Sequence, residues 1–165
     1  MRNFIKTFLL TMFIGAFAFT NNVKAQMSGT YTVGSGGTYA SLTVAYNALV
    51  SNGINAPVIL SVISDLSGQQ TLSDNVPGSS NINTVTITSF NGDATTVTIG
   101  NAANTALILD SVSNLVFKNI TIGTTTDTTI NGVEFRGFCA NILFHSCVIQ
   151  AYDLATDNSC AAVRY

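Results

Sequence analysis

Residues 113–123 read SNLVFKNITIG and residues 140–150 read ANILFHSCVIQ, the same pattern 27 positions later. The apolar residues of the first copy are Leu115, Phe117, Ile120 and Ile122; those of the second are Ile142, Phe144, Cys147 and Ile149. Apolar residues at every second position mark a strand with one buried face. Here the alternation holds for one pair, slips by a single position, then resumes. In a single flat strand that slip would send the second pair to the opposite face. Both pairs reach one interior only if the chain turns a corner, at Lys118-Asn119 in the first copy and His145-Ser146 in the second. Asn accepts the left-handed backbone of such a corner more readily than Ser.

The strand that follows repeats as well. Val133 and Phe135 have counterparts in Ala106 and Ile108 at the same spacing upstream, and in Val163 and Tyr165 at a slightly longer spacing downstream. Leu107 and Leu109 are the alternative inward pair in the earlier strand. Upstream, APVILSVISD, TVTITSF and TTVTIG read as strands, and SDLSGQ, SDNVPGSSN, FNGDAT and GNAANT have turn compositions. A unit of three short strands and three turns cannot bury its own apolar side and must stack on its neighbours. Each winding then adds a rung at ~4.8 Å. A β-sandwich would need hairpin turns and gives no reason for such a self-match. A leucine-rich repeat would need several Leu per unit. The expected fold is all-β, a parallel β-helix. One helix precedes it: Leu42, Ala45, Tyr46 and Leu49 form a single apolar stripe, with Thr38 expected as its N-cap and Gly53 beyond its C-terminus.

The chain opens MRNFIKTFLLTMFIGAFAFTNNVKAQ, with a basic start at Arg2 and Lys6, an apolar run and a Val-Lys-Ala before Gln26. That is the layout of a secretory signal peptide over positions 1–25. The apolar run is shorter than the ~20 residues that cross a bilayer. Export and a secreted or cell-surface location are therefore expected, with no membrane span after cleavage. The remaining chain divides into a strand and capping helix over 26–55 and rungs over 56–165. It carries three cations, Lys118, Arg136 and Arg164, against Asp65, Asp74, Asp93, Asp110, Asp127, Glu134, Asp153 and Asp157, a net charge of −5. Phosphate recognition needs clustered cations, so nucleic acid or an anionic membrane is a poor partner and no nucleic acid is expected.

The stretch TVTITSFNGDATTVTIGNAANTALILDSVSNLVFKNITI resembles right-handed parallel β-helix repeats of the pectate-lyase-like superfamily. GGTYASLTVAYNALVSNGINAPVILSV is similar to the helix-capped start of such domains in secreted bacterial surface proteins. The resemblance implies a helix capping the first rung, and in many relatives a longer solenoid with a C-terminal sorting module. This sequence stops at CAAVRY, within an expected strand, so it reads as an N-terminal fragment. Lyases of this fold use bound calcium and a basic residue to remove a proton beside a sugar carboxylate; no motif here carries such a residue over, and no D-x-D-x-D-G calcium loop occurs.

The candidate chemical groups each have an ordinary structural explanation. His145 falls opposite Lys118 on an outward corner, where no orienting partner can be named for acid–base work. Cys147 takes the inward place of Ile120 and should pack as a small hydrophobe. Cys139, His145, Cys147 and Cys160 lack C-x-x-C spacing for zinc, and a Cys139–Cys160 disulfide is left open. A glycosidase needs two carboxylates flanking the scissile bond. Asp110, Asp127, Glu134, Asp153 and Asp157 are available, but Glu134 and Arg164 align across rungs as an ion pair, and Asp110 and Asp127 sit in turn compositions. Gly34 and Gly36 begin a dinucleotide-like fingerprint that fails at Tyr39. The triplets Asp110-Ser111-Val112 and Asp127-Thr128-Thr129 are similar to acceptor sites for O-linked glycans. No catalytic, cofactor or metal residue is expected. The expected role is a non-catalytic module for adhesion, glycan contact or spacing, with polysaccharide or a surface glycan as partner. The alternative is the N-terminal part of a polysaccharide lyase or glycoside hydrolase whose groove lies elsewhere.

Overall fold

A computed structural model describes residues 24–101, 104–123, 131–151 and 161–164. Its elements are β1 (Met27–Val33), α1 (Leu42–Asn52), β2 (Ile54–Val62), β3 (Leu66–Ser67), β4 (Gln70–Ser73), β5 (Val85–Ser89), β6 (Thr98–Asn101) and β7 (Thr105–Asp110). They continue as β8 (Ser113–Lys118), β9 (Thr121–Ile122), β10 (Asn131–Arg136), β11 (Ala140–His145), β12 (Val148–Ile149) and β13 (Ala161–Arg164). Every pairing between these strands is parallel. Three sheets result: sheet I with order β1-β2-β5-β8-β11, sheet II with β3-β6-β9-β12, and sheet III with β4-β7-β10-β13. Three consecutive strands make one winding, so the chain is a parallel β-solenoid of about four turns.

The repeated segments stack as their pattern requires. Val58, Val85, Leu115 and Ile142 form one inward column of sheet I, and Leu60, Ile87, Phe117 and Phe144 form the next. The Phe117 and Phe144 rings lie 4.9 Å apart at 11°, a stacked pair on the solenoid axis. Asn119 and Ser146 turn the corner from sheet I to sheet II with φ of 50° and 54°. Ser thus adopts the left-handed backbone as Asn does, held by its place directly above.

A second polar register device sits where sheet I begins. Asn114 and Asn141 also have positive φ, and Asn141 Nδ2 donates to Asn114 Oδ1 at 3.1 Å. Ser113 donates to Asn75 Oδ1 at 2.6 Å, tying this short ladder to the rung below.

One strand falls in a segment whose composition reads as turn, β3 within SDLSGQ, and β4 follows directly in residues that carry no strand pattern of their own. A strand as short as β3 cannot show a period. The inward pair of β7 is also corrected. Leu107 and Leu109, not Ala106 and Ile108, face Val133 and Phe135, because this step of the solenoid is one position shorter than the repeat. Ala106 and Ile108 are nevertheless buried. On the other side, Val133 pairs with Val163 as expected, while Tyr165 lies outside the described residues.

Helix α1 buries Leu42, Ala45, Tyr46 and Leu49 against β1, β2 and β4 and so closes one end of the core. Its N-cap is Ser41, not Thr38: Ser41 Oγ accepts from the Val44 N–H at 3.2 Å. Thr38 is engaged elsewhere, its N–H donating to Thr32 Oγ1 at 2.9 Å. The buried Gln70 of β4 completes the cap, its Oε1 accepting from the N–H groups of Leu42 and Thr43 at 3.0 and 3.3 Å. At the other end Gly53 has a φ of 73° and its N–H donates to the Leu49 carbonyl. No helix among the described residues is long and apolar enough to cross a membrane.

Tyr46 fixes the helix to the first rung, its hydroxyl donating to the Asp74 carbonyl at 2.8 Å. Burial, reinforced by the charge of Asp74, pushes its phenol well above the usual range. A raised folded-state value means the neutral form is favoured by folding. That stability is fully present below the unfolded value of about pH 10 and is lost as pH rises above it. Tyr46→Phe should cost about 1 kcal/mol at neutral pH, and flatten the fall in stability above about pH 10. Urea titrations at neutral and alkaline pH check this; parallel losses in both proteins would show that Tyr46 ionises without hindrance.

Candidate functional site

Strand alternation sends every second residue of sheet I outward, and the parallel register aligns those residues into columns running along the solenoid axis. One column is Thr32, Ser61, Thr88, Lys118 and His145. Its neighbour is Thr30, Ile59, Thr86, Val116 and Leu143. Four inter-strand steps of ~4.8 Å make the strip about 19 Å long. Hydroxyls occupy the first three strands of the outer column, with Ser61 largely covered and Thr32 and Thr88 half-buried. Two basic side chains, both exposed, occupy the last two. Leu143 is 53% exposed, and Phe90, just beyond β5, is 72% exposed. Such a face offers aliphatic surface, a protruding ring and hydroxyls, of which Thr32 Oγ1 already accepts from the Thr38 N–H at 2.9 Å and Thr88 Oγ1 donates to the Ser89 carbonyl at 3.3 Å. The His145 Nδ1 lies 3.3 Å from Ser146 Oγ, its only close side-chain neighbour in the hydrogen-bond network of the described residues.

Sheet III carries the other group of charges. Asp110 and Arg136 are register partners on its outward side, and Glu134 stands two positions before Arg136. Arg136 Nε donates to Glu134 Oε1 at 2.8 Å, which raises the guanidinium's already high pKa. Thr105 Oγ1 lies 3.5 Å from Glu134 Oε2. Asp110 Oδ1 accepts from the Ser111 hydroxyl at 3.0 Å. The Cα positions of Glu134 and Arg164 are in register, as their spacing implied. The partner that the structure gives Glu134 on its own strand is Arg136.

Cys147 lies just past the corner at Ser146 and packs against the core, and burial raises its thiol pKa. Cys139 rests at the sheet III to sheet I corner, with its sulfur 3.3 Å from the Arg136 carbonyl oxygen. Both are free thiols. His145 is exposed while Cys147 faces the core, so the two do not converge. Among the described residues no three His, Cys, Asp or Glu side chains come together. The glycine-rich segment is a closed turn: the N–H groups of Gly34, Ser35, Gly37, Thr38 and Tyr39 all donate within the chain. Such a turn is no cradle for a phosphate. In the triplet Asp110-Ser111-Val112 the Ser111 hydroxyl is held by Asp110 and Val112 is buried. Asp127, Asp153, Asp157, Cys160, the triplet at Asp127 and residues 1–23 of the opening segment, expected as a signal peptide, lie outside the described residues.

Sequence reasoning found Lys118 opposite His145 but missed Thr88 and Phe90. The rung from Val85 to Leu115 is three positions longer than the repeat, so a search at the repeat spacing does not align Thr88 with Lys118. The only signal was the outward alternation of TVTITSF itself. No protein-family model matches the chain, and comparison with curated proteins and with solved structures also gives no match.

Proposed function

We propose that this chain is a secreted or surface-displayed, non-catalytic β-helix module, of the right-handed pectate-lyase-like kind, that contacts glycans through sheet I and serves adhesion or spacing. The observation that carries this reading is the in-register strip of Thr32, Ser61, Thr88, Lys118 and His145 beside Ile59, Val116 and Leu143. Sugars present alternating hydroxyl edges and C–H faces, and a strip pairing hydroxyls with aliphatic surface complements both. The basic start and apolar run of the opening segment support export. Right-handed crossover is the strongly preferred winding for parallel strands.

Polysaccharide arrays probed with the purified chain should give retention that falls several-fold in the double variant Thr88→Val, Phe90→Ala. Retention that is unchanged in that variant would move the contact off sheet I. A second reading, part of a polysaccharide lyase or glycoside hydrolase, draws on Asp110, Glu134 and Arg136 lying together on sheet III. Sustained release of unsaturated or reducing sugars from acidic polysaccharides would establish it in place of the first.

A further inference from the structure

We propose that Lys118 and His145 form a subsite for the anionic group, carboxylate or sulfate ester, of a charged saccharide unit whose chain runs along the solenoid axis. This rests on the glycan-contact reading above and adds the ligand's charge, its position and its direction. Lys118 and His145 are direct register partners on adjacent parallel strands, both exposed on the same face. Strands ~4.8 Å apart let both side chains reach one anion. An anion there can accept from the Lys118 ammonium and from a ring N–H of His145, a donor the imidazole carries whether neutral or charged.

Among the described residues no acid pairs with either side chain. Glu134 pairs with Arg136, on another sheet. Asp93, on the loop after β5, spends its Oδ1 on the Thr95 N–H and hydroxyl, both at 2.8 Å. A basic spot on a chain of net charge −5 after the opening segment is therefore a local feature rather than part of a basic surface. The strip also has polarity. Val116 and Leu143 flank the basic end with aliphatic surface, and Thr88, Ser61 and Thr32 continue the column toward α1. A saccharide lying across the strands would place its charged unit over β8 and β11 and uncharged units over β5, β2 and β1.

The test uses the full exported chain and three supports of one backbone: dextran sulfate, carboxymethyl dextran and unmodified dextran. Retention on a charged support is expected despite the protein's own negative charge, and the support preferred identifies sulfate or carboxylate. The double variant Lys118→Ala, His145→Ala should weaken that binding about tenfold, because charge-assisted hydrogen bonds are lost. Ser67→Asp, at an exposed position of sheet II, alters net charge without touching the strip and should leave binding within about twofold. Equal weakening by both would mean diffuse electrostatics and overturn the subsite. Failure to bind either charged support would overturn it too. Binding to unmodified dextran that the double variant leaves intact would sink the subsite while leaving the glycan-contact reading standing. Lys118 and His145 are both exposed, and thermal melts of each variant confirm the fold.

Discussion

Phe117→Ala should lower the stability of this protein by about 3–5 kcal/mol. The ring has 0% of its surface exposed and sits on the axis, with Ile87 as its register partner below and the Phe144 ring above at 4.9 Å. Phe144 in turn meets Phe135 edge-on at 6.5 Å, so the stack joins sheet I to sheet III. Deleting one ring removes its own burial and leaves a void that stiff strands on three sides cannot close. Set against a total of about 5–15 kcal/mol for a domain, such a loss consumes much of the margin. In a solenoid each rung is held by the rungs beside it, so the damage spreads to both neighbours. Val116→Ala, one position earlier on the strand and on its outward side, should change stability by no more than about 0.5 kcal/mol. Urea unfolding of the two variants measures the contrast; a small loss at Phe117 would mean that this residue is not on a packed axis.

Gly100→Ala is expected to be nearly as damaging, by a different route. Gly100 lies in β6, is buried, and has a φ of 74°. A Cβ there would overlap the Cα and Cβ of Ala106, where the chain turns from sheet II into sheet III. The left-handed backbone strains any L-residue by about 1–2 kcal/mol, and overpacking against fixed backbone adds about 1–3 kcal/mol. A combined loss of about 3 kcal/mol follows. Gly68 is the control: its φ is 71° but a Cβ would meet nothing within 4 Å. Gly68→Ala should therefore cost only the backbone term of about 1–2 kcal/mol. Urea unfolding of the pair decides it: equal losses at the two glycines would mean that the corner is not as tightly closed as the contact with Ala106 implies.

What could be read from the letters, and what could not, follows from how far each signal reaches. Leu115 over Ile142 and Phe117 over Phe144 were legible because both the strand and the next copy show the same slip in alternation. The corner at Asn119 and Ser146 was legible for the same reason. Where a rung changes length, the pattern loses phase: the shortened step from Leu107 to Val133 hid which face of β7 turns inward. Where a strand is as brief as β3, no period exists to detect. The Gln70 cap of α1 reaches back across a whole winding to Leu42, so no local motif announces it. The same limits governed the candidate site. His145 and Lys118 align at the repeat spacing, whereas Thr88 precedes Lys118 by a longer step and joins the column only once the rungs are stacked.

Methyl and aromatic cross-relaxation by NMR on the labelled chain tests the stacked, in-register rungs most directly. The solenoid predicts strong contacts between the Leu115 and Ile142 methyls and between the Phe117 and Phe144 rings, with the amide pattern of parallel strands throughout sheet I. Absence of both contacts, together with the short Cα-proton pairs that mark antiparallel neighbours, would contradict the architecture and remove the strip on which the proposed function rests.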